Sequence, residues 1–289
     1  MSTGTVVGRV ASLHRFPVKS MLGEQLQAGS VTESGFEGDR AWALIDDETG
    51  RVVSVKRPRR WESIFTLTAT TTADGVQVRF PDGTSLQVDQ PELVKKLSEL
   101  FGRPVSVAST PPPNATFEES WVRDLKSGAS TYFELPTREE DGDELVDAGH
   151  FMNDLGTFQN LGQVHLVTTS TTRRLAELAP STAFEPRRFR PNVVIETEEE
   201  GFLETSWQGQ KLAIGDVRLG LTVTVPRCVM TTLAQGDLPA DRNVLRAITE
   251  HNAEDPFGTG VRYPCVGVYA NVVQPGLVEV GQDVVLLPE

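Results

Sequence analysis

Cys228 is the residue in this sequence best suited to chemistry. It ends an apolar run, follows Arg227 directly and is followed closely by Thr231 and Thr232. A neighbouring guanidinium favours the thiolate, which is the form of cysteine that binds metals and attacks electrophiles. A lone cysteine is more often a small buried hydrophobe, and Cys265, at the start of an apolar strand, is interpreted in that way. Cys228 is therefore a candidate metal ligand or nucleophile.

Basic residues gather at a few places in a chain that is acidic overall. The net charge is −13, from 27 Lys and Arg against 40 Asp and Glu. Residues 51–60 hold five bases and no acid, Lys19 stands beside Ser20, and Arg190 closes a short arginine-rich stretch. Arginine suits bidentate binding of phosphate or carboxylate, and lysine acts as a point charge. These clusters indicate either a site for a small anionic ligand or ordinary surface salt bridges.

A run of hydroxyl side chains over residues 168–172 begins a predicted helix. The free N–H groups of a helix N-terminus bind anions, and neighbouring hydroxyls assist them. The same residue types are also ordinary N-caps. Thr168 and Thr169 are therefore candidate ligand-binding residues, with simple capping as the alternative.

Several classes of function are excluded by charge and by missing motifs. An acidic chain repels nucleic acid and anionic membrane surfaces, and no apolar run approaches the ~18 residues of a membrane span. The sequence has no paired cysteines or histidines at zinc-binding spacing, no Walker loop and no Gly-x-Ser-x-Gly. Two cysteines cannot form a disulfide framework, which favours a reducing compartment. We therefore expect a cytoplasmic protein that acts on a small molecule, without nucleic acid or membrane partners.

Short β-branched runs separated by turn signals dominate the sequence. They predict strands over residues 6–13, 41–45, 52–55, 64–70, 76–80, 84–88, 105–108, 163–167, 193–196, 211–214, 217–225, 267–273 and 284–287. Helical spacing predicts helices over residues 91–101, 168–179 and 241–251. Strands that do not alternate regularly with helices favour a β-rich barrel or sandwich over a doubly wound sheet.

The boundary between the two halves of the chain is predicted to fall within residues 111–162. Three consecutive prolines begin this region and cannot pair within a sheet. Residues 138–147 carry six acids against one base, which predicts a solvated loop. The predicted organisation is a β-rich region over residues 1–110, a variable connection over 111–162 and a second region over 163–289.

Six short motifs follow one another in an order that resembles the MOSC proteins, named after the C-terminal domain of molybdenum-cofactor sulfurase. They are Phe16-Pro17-Val18-Lys19-Ser20, Gly38-Asp39-Arg40 with Ala41-Trp42, Phe189-Arg190-Pro191-Asn192, Ile214-Gly215-Asp216, Arg227-Cys228 with Thr231-Thr232, and Gly267-Val268-Tyr269-Ala270 with Pro275-Gly276 and Val280-Gly281. The resemblance spans almost the whole chain and is weakest across residues 110–150. It implies a mainly β fold with a few helices, in which a smaller β-rich N-terminal domain precedes a MOSC β-barrel domain. The amidoxime-reducing members of the family, mitochondrial and bacterial, are similar.

The resemblance also implies a ligand and the residues that bind it. The ligand is molybdenum cofactor, a pyranopterin dithiolene that ends in a phosphate, and a cysteine holds its metal. Cys228 matches that cysteine and is implied to be both the metal ligand and the catalytic residue. The implied cofactor-binding residues are Lys19, Ser20, Arg40, Thr168, Thr169, Arg190, Asn192, Arg227 and Tyr269. They come from both halves of the chain, which predicts one shared cleft between the halves.

The implied activity is reduction of an N-hydroxylated or N-oxide-type substrate by oxygen-atom transfer to molybdenum. No ferredoxin-like motif of four cysteines is present, so we expect a separate electron-transfer protein of the ferredoxin, flavoprotein or cytochrome b5 type. The sequence shows no mitochondrial targeting segment, which agrees with a cytoplasmic location. Pyridoxal phosphate binding is also associated with the family.

Two other functions remain open for Cys228. It could carry sulfur as a persulfide without a bound metal, or the protein could bind and deliver molybdenum cofactor without catalysis. A cysteine-dependent hydrolase would need a histidine coupled to Cys228, and the sequence shows no such pattern. His14 and His165 fall within predicted strands and are interpreted as packed or hydrogen-bonded.

Overall fold

The protein is described by a computed structural model that covers residues 4–120, 137–148 and 156–288. The predicted mainly β fold with a few helices is confirmed. In chain order the strands of these residues are β1 (Thr5–Arg15), β2 (Glu24–Leu26), β3 (Ala28–Thr32), β4 (Gly35–Phe36), β5 (Ala43–Asp46), β6 (Thr68–Thr72), β7 (Gly75–Arg79), β8 (Ser85–Gln87), β9 (Val105–Ala108), β10 (Glu118–Ser120), β11 (Thr137–Glu140), β12 (Asp143–Asp147), β13 (Val164–Thr168), β14 (Val193–Glu196), β15 (Lys211–Ile214), β16 (Val217–Pro226), β17 (Ala253–Glu254), β18 (Tyr263–Gln274), β19 (Gly276–Glu279) and β20 (Asp283–Leu287). The helices are α1 (Pro58–Trp61), α2 (Pro91–Phe101), α3 (Thr169–Leu178) and α4 (Asn243–His251). No helix of these ranges is long and apolar enough to cross a membrane.

Seven strands close into a barrel in the order β13-β14-β1-β20-β15-β16-β18, and β18 pairs with β13 to complete the ring. Only β13 and β14 run parallel; the other pairs are antiparallel. Alternate side chains of these strands, such as Leu166, Leu212 and Val268, point inward and are fully buried. Closure leaves the barrel without free edges, so its backbone groups are paired within the ring.

Strand β1 comes from the N-terminal half of the chain but is one of the seven strands that form the barrel. β1 pairs with β14 on one side and with β20 on the other. A second link joins the halves, because β19 pairs with β3. The halves are therefore interleaved around the barrel, and the predicted boundaries at residues 110 and 162 stay a prediction.

The remaining N-terminal elements have a core of their own. Strands β5 and β9, the meander β6-β7-β8 and helix α2 pack around buried Trp61, Phe65, Leu93 and Leu97. Helix α2 starts with a proline in its first turn and ends at Gly102, which adopts φ +61°. Glycine adopts this left-handed conformation at little cost, so it terminates the helix as the sequence predicts.

One predicted strand, over residues 52–55, is not a strand, and another, over residues 64–70, is a strand only from residue 68 onward. Residues 52–55 are buried and extended, but Val52 makes only isolated bridges, to Ile45 and Phe117. Residues 62–66 form a 3₁₀ turn before β6, in which the consecutive side chains Ile64 and Phe65 are both buried. Successive side chains of a strand face opposite sides of the sheet. A run of adjacent core residues is therefore satisfied by a turn as well as by a strand.

The acidic segment over residues 138–147 is not a solvated loop. It forms a hairpin of β11 and β12, and β10 adds to it as a third strand. Its carboxylates pair with arginines of the basic stretch 51–60, and Arg57 alone pairs with Glu118, Glu140 and Asp141. The charge run is thus neutralised by partners about 80 residues away in the chain, a separation that local charge patterning does not detect.

Candidate functional site

One cavity collects most of the residues singled out in the sequence. It is lined by the predicted residues Lys19, Ser20, Arg40, Arg190, Asn192, Arg227, Cys228 and Tyr269. Its volume of about 170 Å³ is roughly ten times what one water molecule needs. Residues of both halves of the chain line it, so the predicted shared cleft is present and Lys19 and Cys228 lie on one cavity.

Three of the lining residues adopt left-handed backbone conformations that are rare for residues other than glycine. The φ angles are 68° at Ser20, 49° at Arg40 and 54° at Arg190. Such conformations cost of order 1–3 kcal/mol each and persist where the surrounding structure enforces them, commonly at functional sites. At these positions the strain turns short loops so that their polar side chains reach the cavity.

The cavity contains three cations that lack acidic partners. The ammonium of Lys19 donates to the Phe158 carbonyl and to Asn160 Oδ1, both at 2.7 Å. Arg190 donates to the Met21 carbonyl at 2.6 Å and Arg227 to the Phe189 carbonyl at 2.7 Å. No carboxylate of the described residues forms an ion pair with any of the three.

Burial and mutual repulsion act on these cations together. Burial, followed by the charges of Lys56, Arg40 and Arg190, holds the pKa of Lys19 well below its usual range. Burial and the charge of Arg40 also lower the pKa of Arg190 strongly. Buried charges are normally paired with a counter-ion. The positive charge of this cavity is therefore suited to an anionic ligand.

Arg40 differs from these cations because it has a partner. It forms an ion pair with Asp39, whose carboxylate also accepts a hydrogen bond from the Phe16 backbone N–H. The guanidinium groups of Arg40 and Arg190 lie 4.7 and 4.1 Å from the centroid of the Phe16 ring. Cation–π contacts at such distances are favourable. They hold two arginines close together beside the cavity despite their like charge.

Cys228 lies between strand β16 and a short 3₁₀ turn over Val229–Thr232. Its thiol is partly buried, and burial raises its pKa above the usual value. Lys56 is the stronger of the two cations that lower this pKa, and Arg227 contributes less. Burial outweighs both, so the expected thiolate is not favoured by Arg227 alone. A bound metal would favour the thiolate by displacing the proton.

The cavity residues outside the predicted set include Lys56, Glu119, Asn160 and His165. Lys56 belongs to the basic stretch 51–60, whose arginines pair with the acidic hairpin, and only its proximity to Cys228 sets it apart. His165 is buried as interpreted, with Nδ1 3.4 Å from the Arg190 carbonyl and its ring against Tyr269. Burial and the charge of Arg227 lower the pKa of His165 well below its usual value, so the imidazole is neutral.

Thr168 and Thr169 are not among the lining residues. Thr168 is the N-cap of α3, where its hydroxyl accepts a hydrogen bond from the Thr171 N–H. The buried carboxylate of Glu204 accepts hydrogen bonds from the hydroxyls of Thr168 and Thr171 at 2.5 and 2.6 Å. The N-terminus of this helix is therefore occupied by an internal carboxylate, and the hydroxyl run serves the capping role.

The lining residues fit molybdenum cofactor on two counts. Within the described residues, one guanidinium nitrogen, Arg227 Nη1, is buried without a hydrogen-bond partner, and Lys19, Arg190 and Arg227 form no ion pair with a carboxylate. Cys228 offers a soft sulfur donor, the ligand type that soft metals select. The described residues contain no group of three or more His, Cys, Asp or Glu side chains able to hold a metal. Cys228 is the thiol among the residues that line the cavity.

Comparison with known protein families identifies two domains, one in each half of the chain. The MOSC domain matches residues 155–285 and the MOSC N-terminal beta barrel domain matches residues 7–108. The chain is 26% identical over 302 residues to mitochondrial amidoxime-reducing component 1 of Homo sapiens, covering 97% of this chain and 83% of the relative. It is 25% identical over 297 residues to mitochondrial amidoxime reducing component 2 of Bos taurus, covering 96% and 83%. A crystal structure of the YuaD protein from Bacillus subtilis aligns over 98% of this chain and 97% of that chain, with 12% identity and a TM-score of 0.46.

Proposed function

The chain belongs to the MOSC domain proteins that carry an N-terminal MOSC β-barrel domain, and on that premise we propose that it binds molybdenum cofactor and reduces N-hydroxylated small molecules. The observation that carries the proposal is that Cys228 shares one cavity with the buried cations Lys19 and Arg190 and the half-buried Arg227, none of which forms an ion pair with a carboxylate of the described residues. A ligand with a soft metal at one end and a phosphate at the other matches both features.

The lining residues would divide the work of holding this ligand. Cys228 would bind the metal, and Lys19, Arg40, Arg190 and Arg227 would hold the phosphate and the pterin through charge-assisted hydrogen bonds. Ser20 Oγ accepts a hydrogen bond from the Val55 N–H and would keep its own hydroxyl hydrogen for the ligand.

Asn192 and Tyr269 are the remaining two predicted residues that line the cavity. The Asn192 amide accepts from the His165 N–H and donates to the His14 carbonyl, which joins β13 to β1. Asn192 therefore fixes the loop that carries Arg190. The ring of Tyr269 packs against His165 and would border the bound ligand.

When bound, molybdenum cofactor supplies two-electron oxygen-atom transfer, and the overall reaction would be R–NH–OH + 2 e⁻ + 2 H⁺ → R–NH₂ + H₂O. The role of this chain is to bind the cofactor, to orient the substrate and to limit the access of water. The electrons would come one at a time from a separate electron-transfer protein.

Elemental analysis for molybdenum tests the proposal most directly. Protein produced in a host that makes molybdenum cofactor should contain about one molybdenum per chain, and it should reduce benzamidoxime with an artificial electron donor. Bound molybdenum without turnover would instead indicate a delivery protein. A metal-free protein with a persulfide on Cys228 would indicate a sulfur carrier.

Replacing Arg190 by Met should weaken cofactor binding without weakening the fold. Loss of one charge-assisted contact costs about 1.5–3 kcal/mol, which is roughly ten- to hundredfold in affinity. The cofactor-free protein should keep a melting temperature close to that of wild type, because the removal of a buried cation without an ion-pair partner offsets the loss of its hydrogen bond to the Met21 carbonyl. Titration with cofactor and thermal unfolding of the cofactor-free protein measure the two effects.

Arg187→Met is the matched control. Arg187 is three residues away and pairs at the surface with Asp237, outside the cavity lining. Its replacement should change neither cofactor affinity nor stability appreciably. Unchanged affinity in Arg190→Met, or a cofactor-free variant that melts well below wild type, would show that Arg190 is structural and that the anion binds elsewhere.

A further inference from the structure

Lys56 and Glu119 form an ion pair that lines the cavity. Lys56 Nζ and Glu119 Oε2 are 2.8 Å apart, and the two side chains are 17% and 15% exposed. Both charges act on the thiol of Cys228, whose pKa Lys56 lowers and Glu119 raises. The pair and Cys228 line the same cavity, so a substrate whose reacting group lies at the metal held by Cys228 would also meet this pair.

The backbone holds this pair in place from both sides. The Ser120 N–H donates to the Lys56 carbonyl at 2.9 Å, and the Lys56 N–H donates to Ser54 Oγ at 3.3 Å. The ammonium of Lys56 also lies 4.9 Å from the centroid of the buried Phe117 ring. Side chains fixed in this way lose little conformational freedom when a ligand binds.

The charge balance of the pair contrasts with the rest of the cavity. No carboxylate in the described part of the chain forms an ion pair with Lys19, Arg190 or Arg227, which suit an anion, whereas Lys56 is compensated by Glu119. A compensated pair disfavours an additional full charge but offers one strong donor and one strong acceptor side by side. A neutral group with an acceptor oxygen next to an N–H hydrogen satisfies both.

We propose that Lys56 and Glu119 select substrates that carry an N–H beside the N–O group, such as amidoximes, over N-oxides without an N–H. This inference rests on the proposed function and adds the residues that determine its specificity. The Lys56 ammonium donates to the oxygen of the N–O group, and the Glu119 carboxylate accepts from the neighbouring N–H. An N-oxide satisfies Lys56 but offers no N–H to the Glu119 oxygen that does not pair with Lys56. Sites that leave a buried acceptor without a partner reject such ligands strongly.

The test compares two substrates in two variants of Glu119. In Glu119→Met, which removes the acceptor and keeps the side-chain volume, kcat/KM for benzamidoxime should fall about ten- to hundredfold. For pyridine N-oxide kcat/KM should stay within about threefold of wild type or rise, because its binding uses Lys56. Glu119→Gln retains an acceptor oxygen and should recover part of the benzamidoxime activity.

Glu24→Met is the matched control for these variants. Glu24 pairs with Arg15 at 2.9 Å, and the side chains of Arg15 and Glu24 are 19% and 14% exposed. This burial is close to that of the Lys56–Glu119 pair, but neither Arg15 nor Glu24 lines the cavity. The control should leave the ratio of the two kcat/KM values at the wild-type value. Melting temperatures of all variants show whether each is folded.

A binding measurement separates this inference from the proposed function. Calorimetry with benzamide, a neutral amide that carries an acceptor oxygen beside an N–H, should show a dissociation constant at least about tenfold weaker in Glu119→Met than in wild type. A wild-type protein that reduces neither substrate would overturn the proposed function, and the benzamide titration would then decide on the binding site alone. Equal loss on both substrates, or unchanged benzamide affinity, would overturn the inference.

Discussion

Changing Cys228 to Ser should reduce amidoxime turnover by more than ~100-fold, since replacing residues that only support a metal ligand already costs 10–100-fold. A hydroxyl is a harder and much less acidic donor than a thiol, and soft metals select thiolate. The fold should persist, because it is the backbone carbonyl of Cys228 that accepts hydrogen bonds from Thr231. The molybdenum content, kcat and melting temperature of the purified variant measure these effects.

Cys265 provides the internal control for this substitution. It lies buried in β18, where burial raises its pKa to about 11, and it is not among the cavity residues. Cys265→Ala should cost ~1–2 kcal/mol of stability, as a small core deletion does, and should keep molybdenum and turnover. If Cys228→Ser retained full turnover with molybdenum bound, Cys228 would not be the metal ligand.

Much of the candidate site could be predicted because its residues lie in short contiguous motifs. Lys19 with Ser20, Arg190 with Asn192, and Arg227 with Cys228 are adjacent or nearly adjacent in sequence, and all of them reach the cavity. The threonines of α3 were misleading for the opposite reason. Their partner, Glu204, lies more than 30 residues further along the chain, and only the folded structure shows that it occupies the helix terminus.

The ion-pair partner of Lys56 could not be predicted from the sequence for a similar reason. Residues 51–60 contain five basic residues, and their side chains lie in different parts of the fold. Arg57 and Arg60 contact the acidic hairpin, whereas Lys56 turns to the cavity and pairs with Glu119. Local patterns predict the strands and helices well where one face is buried. They do not predict which of several neighbouring charges has a distant partner.

Arg57→Met should lower the free energy of unfolding by about 3–5 kcal/mol, the usual cost of removing one partner of a buried ion pair. The guanidinium is fully buried and contacts Glu118 at 2.7 Å, Asp141 at 3.0 Å and Glu140 at 3.2 Å. Glu118 is itself 4% exposed, so its carboxylate loses a buried partner when Arg57 is replaced. Denaturant unfolding monitored by circular dichroism measures the change.

Arg59→Met is the matched control for Arg57→Met. Arg59 is 62% exposed and, among the residues that the structure describes, pairs only with Asp143, at 3.2 Å, so its loss should cost less than about 1 kcal/mol. A loss of stability in Arg57→Met no larger than in Arg59→Met would show that the buried network contributes little to the fold.

The acid dependence of the same network follows from Glu140. Burial alone would raise the pKa of this carboxyl, but hydrogen bonds from Arg60 and Arg57 hold it at about 2, below its usual 4.5. Because the folded-state pKa is the lower one, the stabilisation is complete above about pH 4.5 and is lost as the pH falls through about 2. Without Arg57 the folded-state pKa should rise, so Arg57→Met should show a smaller drop in stability over this range than wild type.

The same network should also affect substrate binding in the cavity, because Arg57 and Glu118 directly adjoin Lys56 and Glu119 in the chain. Loss of Arg57 should therefore raise the KM for benzamidoxime while leaving the molybdenum content unchanged, since Lys19, Arg190 and Cys228 are held by other contacts. An Arg57→Met protein that is destabilised yet keeps its KM would show that the backbone contacts of Lys56 and Ser120 alone are sufficient to fix the pair. A higher KM at unchanged molybdenum content would instead connect the acidic hairpin, through its partner Arg57, to substrate recognition.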